Sequence, residues 1–355
     1  MGAKLEFTTL KGQEKTVKIN LISVIIPCFN ENETIEEFLR RLHFVASSME
    51  DYTFEFIFIN DGSTDNTGKI LNDFAEQDHR IKVLHLARNR GHQIALTAGM
   101  DHASGDMVVT IDADLQDPPE LIGEMLEKIE KGFDIVHAQR KTRLGESWFK
   151  MITSRLFYRL MVWCSSTPII PDCGDFRAFT RAVLETITAF RMPHRFLRGT
   201  FASLGFNQII IQYDRSPRYS GYTKYSFFKM LNLSVDAVLG FSTAPIRFIS
   251  WISIVLWAVS LIYLIYALIG HFIYKLTVPG WTSIIVLLFL FTGLILFSIA
   301  IIGSYVGRIF SQGQNVPLYW LSDARNMDFD KIVKNSDTVR EVSLSKNILD
   351  RQKKN

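Results

Sequence analysis

Four short apolar runs, each closed by a polar cluster and followed by a stretch of helical periodicity, limit what this chain can fold into more than any other feature. The runs are Leu21–Ile26, Phe54–Asn60, Ile81–Leu86 and Met107–Ile111. Each has the length and near-continuous apolar character of a strand buried on both faces. Between and after them lie segments with helical spacing, about Thr34–Met49, Asn66–Glu76, Gln93–Ala103 and Pro119–Lys131, and a fifth strand is expected at about Asp134–Gln139. This alternation predicts an α/β domain with a mostly parallel sheet covered by helices on both faces. Asn32, Glu33 or Thr34 is placed to cap the first helix, and Ser63 or Thr64 the second.

The polar clusters Pro27–Glu31, Asp61–Asp65, Arg88–His92 and Asp112–Gln116 each fall directly after a strand. In a parallel sheet they share the C-terminal edge, where a nucleotide would lie. No GxGxxG or GxxxxGK[ST] stretch is present, so neither the dinucleotide fingerprint nor the Walker loop applies. The fourth cluster places Asp112 and Asp114 at a strand end, followed by Gln116, Asp117 and the pair Pro118 and Pro119, which suits the first turn of a helix. Two carboxylates there suit a hard cation such as Mg²⁺ or Mn²⁺, held by one or two carboxylates plus substrate phosphates. Taken alone, the pair also reads as a solvated acidic turn.

The 355 residues leave room for two or three units. A net charge of +3, without a basic stripe of interleaved aromatics, argues for no nucleic-acid partner. Cys28, Cys164 and Cys173 show no paired or CxxC spacing, so neither a disulfide framework nor a zinc site is expected, and a reducing compartment fits. Residues 1–20 are polar and read as a flexible lead-in, with no apolar signal segment. Phe248–Tyr274 carries no Asp, Glu, Lys or Arg, and Trp281–Gly307 carries no charge at all; each is 27 residues long. About 20 residues cross a membrane core as a helix, so a two-span hairpin with Trp and Tyr at its ends is expected. Its loop, about Lys275–Gly280, is short and puts both flanks on one side. Arg247 and Arg308 favour the cytoplasmic side, with Lys275 as a counter-signal. Small residues such as Gly293 and Gly303 are of the kind through which membrane helices pair, so a homo-oligomer is one expectation.

Residues 140–225 are more basic. Positions 147–164 have an apolar face (Trp148, Met151, Ile152, Leu156, Leu160, Trp163) with Lys150, Arg155 and Arg159 off it. This is either a helix lying in a membrane interface or an ordinary domain helix. Pro171–Arg177 reads as a charged turn, Thr180–Phe190 as a helix, Gln208–Gln212 as a short strand and Tyr225–Phe241 as a second amphipathic helix. Residues 311–355 read as a short helix or loose tail.

With these motifs in order, the chain resembles the family 2 glycosyltransferases of the polyprenyl-phosphate glycosyltransferase group, which includes dolichyl-phosphate mannose synthases and bactoprenol glucosyltransferases. The resemblance runs from about Ile22 to Ile309 and rests on Val24–Glu31, Asn60–Asp65, Arg88–His92, Asp112–Pro119, Gly174–Arg177, Arg218–Tyr225 and the two apolar spans. His194–Gly199 is most similar to the bactoprenol glucosyltransferases. Three positions depart from the pattern. Asn60 replaces a first aspartate, His92 takes a glutamine's place, and Lys150 falls where an acceptor-phosphate arginine is usual; lysine keeps the charge but not the bidentate fork. No Gln-x-x-Arg-Trp stretch is present, which disfavours a processive synthase.

The resemblance implies a GT-A type nucleotide-sugar fold: a mixed, mostly parallel sheet with helices on both faces, followed by amphipathic interface helices and two transmembrane helices. It divides the chain into a lead-in (1–20), a cytoplasmic transferase domain (21–225, donor half 21–139 and acceptor half 140–225), an interface helix (226–247), a hairpin (248–310) and a cytoplasmic tail (311–355). Pro27, Phe29, Glu31, Ile59, Asp61, Arg88, Asp112 and Ala113 match donor-nucleotide positions; for Asp61 a helix-capping turn is the other reading. Asp112, Asp114 and Gln116 match the metal and diphosphate site for Mg²⁺ or Mn²⁺. Arg140, Lys150, Ser154, Arg218 and Lys224 match or approximate acceptor-phosphate positions, and attraction to a membrane surface is the alternative for each basic one. Asp114 and Asp175 are the catalytic candidates: Asp175 as a general base, as a group orienting the acceptor, or simply as a partner for Arg177. The implied reaction is inverting transfer of a hexose, glucose from UDP-glucose first, to undecaprenyl phosphate on the cytoplasmic face of a bacterial inner membrane. N-acetylglucosamine, mannose and 4-formamido-arabinose are alternative sugars, and a non-catalytic nucleotide-sugar-binding scaffold is the alternative function.

Overall fold

The computed structural model describes residues 19–141, 173–192, 195–214, 244–273, 280–314 and 316–327. The chain divides into two compact units. The first holds the sheet. Its elements in order are β1 (Leu21–Cys28), α1 (Ile35–Ser47), β2 (Thr53–Asn60), α2 (Thr67–Gln77), β3 (Ile81–Leu86), α3 (His92–His102) and β4 (Met107–Thr110). There follow a 3-10 turn (Pro119–Leu121) running into α4 (Ile122–Glu130), then β5 (Ile135–Arg140), β6 (Cys173–Thr180), α5 (Arg181–Thr188), α6 (Leu197–Ser203) and β7 (Gln208–Tyr213). The second unit holds α7 (Ala244–Phe272) and α8 (Trp281–Gly313). A last strand, β8 (Leu321–Arg325), belongs to the first unit.

The eight strands run β7-β5-β6-β4-β1-β2-β3-β8. β4, β1, β2 and β3 are mutually parallel, as are β5 and β7; β6 is antiparallel to both its neighbours, and β8 is antiparallel to β3. The expected mixed, mostly parallel sheet is therefore present. The chain steps outward from β1 to β2 and β3, then crosses back to β4 on the other side of β1. That reversal makes a topological switch point at the C-terminal ends of β1 and β4, the place where open α/β sheets take ligands.

Both faces are covered. Val24, Ile26, Phe56 and Phe58 pack with Phe38, Leu42, Leu71 and Met125 of α1, α2 and α4. Ile25, Ile57 and Ile59 pack with Ala95, Leu96 and Ala98 of α3, and Phe179 with Val183, Ile187 and Phe201 of α5 and α6. Alternate residues of one strand thus feed opposite cores. In α1, Ile35, Phe38, Leu39, Leu42, Val45 and Ala46 are buried, the stripe expected of a helix with one face on a sheet.

Two segments differ from expectation. The supposed charged turn Pro171–Arg177 contributes from Cys173 onward to β6, all eight of whose residues are buried in the centre of the sheet. Asp175 and Arg177 share one face of the strand and pair with each other, which removes much of the cost of burying either charge. The tail is not loose at 321–325, where it closes the sheet edge as β8.

In the second unit, Leu290–Gly313 has a mean hydropathy of 2.0 with none of its most apolar window buried, and it is the one stretch among the described residues long and apolar enough to cross a membrane. α7 also presents large apolar side chains, with Trp251, Ile254, Ile262 and Tyr266 each at least 65% exposed.

Candidate active site

The loops after β1 and β2 are bonded to each other at the C-terminal edge of the parallel strands. Asn30, at φ 55°, accepts the Thr64 N–H at 2.8 Å and donates its own N–H to Ser63 Oγ at 3.1 Å. Glu31 donates its N–H to Thr67 Oγ1 at 2.9 Å. Neither Ser63 nor Thr64 caps α2; Asn66 occupies that position without a side-chain cap, and Asp65 accepts the Thr67 N–H at 3.0 Å. Thr34 likewise takes the cap position of α1 without a capping side-chain bond. Asn60 has a defined task as an amide. Burial lowers the pKa of His85 and favours its neutral form. His85 Nε2 lies 2.9 Å from Asn72 Oδ1, so Nδ1 is left as an acceptor, and Asn60 Nδ2 lies 3.0 Å from it. Asn60 Oδ1 accepts the Ser63 N–H at 3.0 Å. A carboxylate at 60 could not donate to His85.

Asp61 is 2% exposed and accepts the N–H groups of Arg90 at 2.7 Å and Gly91 at 2.9 Å, one on each oxygen. Burial raises its pKa, and those two bonds oppose the shift. A Cβ on the next residue, Gly62 (φ 66°), would sit 2.5 Å from the Asn89 nitrogen, so the close approach of the two loops needs glycine. Asp61 and Gly62 thus grip the loop 88–91 that leads into α3. Pro27 is buried at the end of β1, in register with Ile59, and Ile59 is wholly inside the core; Phe29 and Glu31 are half-buried on the loop after β1, and Arg88 is exposed.

A second constellation centres on β6. Asp175 is 4% exposed and accepts bonds from Arg177 Nη2 (3.2 Å), Arg198 Nε (3.2 Å) and Nη2 (3.0 Å), and Gln93 Nε2 (3.2 Å). His92 Nε2 lies 3.2 Å from Asp175 Oδ2 and 3.5 Å from Asp112 Oδ1, bridging the two carboxylates. Burial disfavours a charged His92, but Asp112 and Asp175 outweigh it and lift the ring to about 9. Burial would raise Asp175, yet Arg198, His92 and Arg177 hold it well below the usual carboxylate range. Asp112 is pushed up to about 6 by burial and by Asp117, Asp175 and Asp114, against the pull of His92. Thr110 Oγ1 donates to the Asp175 carbonyl, tying β4 to β6 just before Asp112.

The turn after Asp112 is tightly built. Asp114 is half-buried and accepts the Gln116 N–H at 3.1 Å. Leu115 lies at φ 60°, a conformation costly for a branched side chain, between the two residues expected to face a cation and diphosphate. Ala113 and Gln116 are buried. Asp117, wholly buried, accepts from the Tyr213 hydroxyl; Arg140 Nε donates to that same hydroxyl at 3.2 Å, and Arg140 Nη2 lies 3.6 Å from Asp117.

A divalent cation fits this turn by its donor chemistry, since Asp112 and Asp114, both only half-buried, offer carboxylate oxygens directly after β4. Among the described residues, no three His, Cys, Asp or Glu side chains converge as a closed metal cage. A site of one or two carboxylates completed by substrate phosphates needs none. Lys150, Ser154, Arg218 and Lys224 lie outside the described residues, as do both amphipathic stretches, 147–164 and Tyr225–Phe241. His92, Gln93, Arg177, Arg198 and Tyr213 were not among the expected site residues. For His92 a signal was present, in its place at the family's glutamine position.

Residues 23–188 match the description Glycosyl transferase family 2. An uncharacterized glycosyltransferase of Synechocystis is 37% identical over 308 residues, 87% of this chain and 96% of its own length. An uncharacterized glycosyltransferase of Bacillus subtilis is 40% identical over 297 residues, 84% and 92% of the two chains. The SfII prophage-derived bactoprenol glucosyl transferase of Shigella flexneri is 35% identical over 298 residues, 84% and 96% of the two. With such identity sustained over nearly the full length of these relatives, this chain belongs to glycosyl transferase family 2.

Proposed function

We propose that this protein transfers a hexose, glucose from UDP-glucose first, to a polyprenyl phosphate such as undecaprenyl phosphate. The observation that carries this reading is the Asp112–His92–Asp175–Arg198 constellation just beyond the C-terminal end of β4. It is supported by full-length relatives named bactoprenol glucosyl transferase. An acceptor phosphate oxygen attacks the anomeric carbon, the bond from that carbon to the nucleoside diphosphate breaks, and the configuration inverts. Asp112 and Asp114, with Gln116 beside them, would hold Mg²⁺ or Mn²⁺, which would supply charge neutralisation for the departing diphosphate.

The chain's own residues do the remaining work. Asp61 and Gly62 fix the loop carrying Arg88, and Phe29 and Glu31 border the nucleotide. Arg140, fixed by Asp117 and Tyr213, supplies a guanidinium for the acceptor phosphate, with Lys150, Ser154, Arg218 and Lys224 as further acceptor-side groups. Asp175 works as an anchor for His92, Gln93 and Arg198 rather than as a base, because its lone pairs are already engaged. A phosphate with a second pKa near ~6 is already largely deprotonated at neutral pH and needs none.

The lipid acceptor calls for a membrane. The apolar, uncovered flanks of α7 and α8 suit a two-span hairpin in lipid, with Arg247 and Arg308 keeping the sheet unit on the cytoplasmic side of a bacterial inner membrane. The test is a screen of nucleotide-sugars on purified protein with undecaprenyl phosphate and Mg²⁺ or Mn²⁺, reading labelled sugar in the organic extract, with Asp114→Ala as the blank. Glucose transfer from UDP-glucose supports the reading in full. Transfer of another hexose corrects the donor, and no transfer from any common nucleotide-sugar points to a binding scaffold.

A further inference from the structure

We infer that Trp320, on the segment between α8 and β8, is a positioning residue for the donor nucleotide, holding the loop 87–91 together with Asp61. The inference rests on the glycosyl-transfer reading above. Three residues separate the end of α8 from Pro317, the first residue of the returning segment of the sheet unit. From there the segment is bonded along its length. Tyr319 is 9% exposed and donates its hydroxyl to Asp101 at 2.9 Å, near the far end of α3. The Trp320 carbonyl accepts the Ala87 N–H at 2.8 Å. Ser322 donates to the His85 carbonyl at 3.2 Å, and Asn326 Nδ2 to the carbonyls of Ala75 and Ile81.

The indole of Trp320 does more than close an edge. The Arg90 guanidinium carbon lies 4.3 Å from its ring centroid, and that of Arg88 lies 5.9 Å away. Among the described residues, Nε and Nη2 of Arg90 are buried and find no hydrogen-bond acceptor, and the indole face packs against this guanidinium. A desolvated guanidinium over an indole is the favourable case for such a contact. The backbone N–H of the same Arg90 is held by Asp61. Backbone and side chain of one loop residue are therefore fixed by two different strands' neighbourhoods, one at β2 and one at β8. The loop so fixed bears Arg88 and leads into His92 and Gln93, both bonded to Asp175. Trp320 itself touches no reacting atom; it acts through Arg90, which fixes the loop that carries Arg88.

The experiment uses the full chain in lipid nanodiscs, with UDP binding by calorimetry beside steady-state transfer. Trp320→Ala is expected to raise the UDP dissociation constant and the donor KM roughly tenfold, the loss of one desolvated cation–π contact, while kcat and the acceptor KM stay within about twofold on the same principle. Trp320→Phe, which keeps an aromatic face, should recover most of the loss. Arg90→Ala should mimic Trp320→Ala, and the double variant should be no worse than either single one. Unchanged UDP affinity in Trp320→Ala overturns the inference, as does an equal loss of kcat and acceptor affinity, or a failure of phenylalanine to rescue. If Trp320→Ala does not fold, the phenylalanine and Arg90 variants decide by the same readouts. A wild-type protein that binds no nucleoside diphosphate overturns the glycosyl-transfer reading itself; wild-type binding with no effect of Trp320→Ala overturns only the role of Trp320.

Discussion

Arg198 lies along the Asp175 carboxylate, with Nη2 3.0 Å from Oδ2 and Nε 3.2 Å from Oδ1, and so joins α6 to the central strand β6. With Arg177, His92 and Gln93 on the same two oxygens, Asp175 is a hub for three elements and a weak proton acceptor. Lysine at 198 would keep the charge and lose the fork. Arg198→Lys should therefore lower kcat by about ten- to a hundredfold through misplacement of His92 and Gln93, with a smaller change in donor KM. The pH–rate profile separates anchor from base. If Asp175 is an anchor, Asp175→Asn lowers the whole profile and the acid limb persists, moved at most toward lower pH as Asp112 loses a neighbouring negative charge. Loss of that limb in the variant would show that Asp175 takes a proton.

The Tyr213 hydroxyl bonds Asp117, which is wholly buried, and receives a bond from Arg140. Tyr213→Phe removes one donor to Asp117 and one of the groups orienting Arg140. The expected stability loss is about 1–3 kcal/mol, the cost of leaving a buried acceptor short of a partner, read by chemical denaturation. In transfer assays the acceptor KM should rise more than the donor KM. A donor-side effect instead would remove Arg140 from the acceptor site.

The parallel part of the sheet was legible because its strands are uniform apolar runs whose ends are marked by polar clusters. β3 falls at Ile81–Leu86 as expected, and β1, β2 and β4 within about two residues at either end. β6 was not legible. Its sequence alternates Asp175 and Arg177 with Phe176 and Ala178, and only the pairing of the two charges in three dimensions makes a fully buried strand of it. β8 was hidden for another reason: Leu321–Arg325 carries two charges in five residues, and its strand form comes from bonding to β3 at the sheet edge. The same distinction governs the site. Asp112, Asp114 and Asp61 could be found from position after a strand, whereas Arg198 and Trp320 lie far along the chain from the residues they hold.

Gly99 lets α3 pack closely against the sheet. A Cβ there would lie 2.3 Å from Ile25 Cγ2 and 2.8 Å from Ile59 Cδ1, both side chains in the core. Gly99→Ala gains helix propensity of about 1 kcal/mol, but overpacking a well-filled core costs about 1–3 kcal/mol. The balance should be destabilising, or neutral at best, by calorimetric melting. Because α3 begins with His92 and Gln93, pushing it off β1 and β2 also moves both donors from Asp175. Activity should therefore fall more than stability does, and an enzyme with full kcat would show that α3 absorbs the methyl without moving.

His137 gives the fold its own pH dependence, apart from the reaction. It sits buried on β5, opposite Arg177 in register, with Nε2 2.9 Å from Gln208 Oε1. Burial and the neighbouring Arg177 push its pKa down to about 3. The unfolded chain, with an ordinary histidine pKa of about 6.5, takes up a proton as pH falls through that value, while the folded protein does not until pH nears 3. The unfolded state then binds more protons, so stability rises with pH across this window and is complete above about 6.5, at a limiting slope of ~1.4 kcal/mol per pH unit. Between pH 6 and 4.5 this one group should account for about 2 kcal/mol of lost stability. His137→Gln keeps a polar side chain near Gln208 and cannot charge. Its stability, followed by denaturant titration at several pH values, should fall less steeply than the wild type's below pH 6.5 by about that amount. Parallel curves for the two proteins would place the acid sensitivity elsewhere, with Asp175 next in line: its depressed pKa gives stability that is present above the ordinary aspartate pKa and lost as pH falls through the folded value.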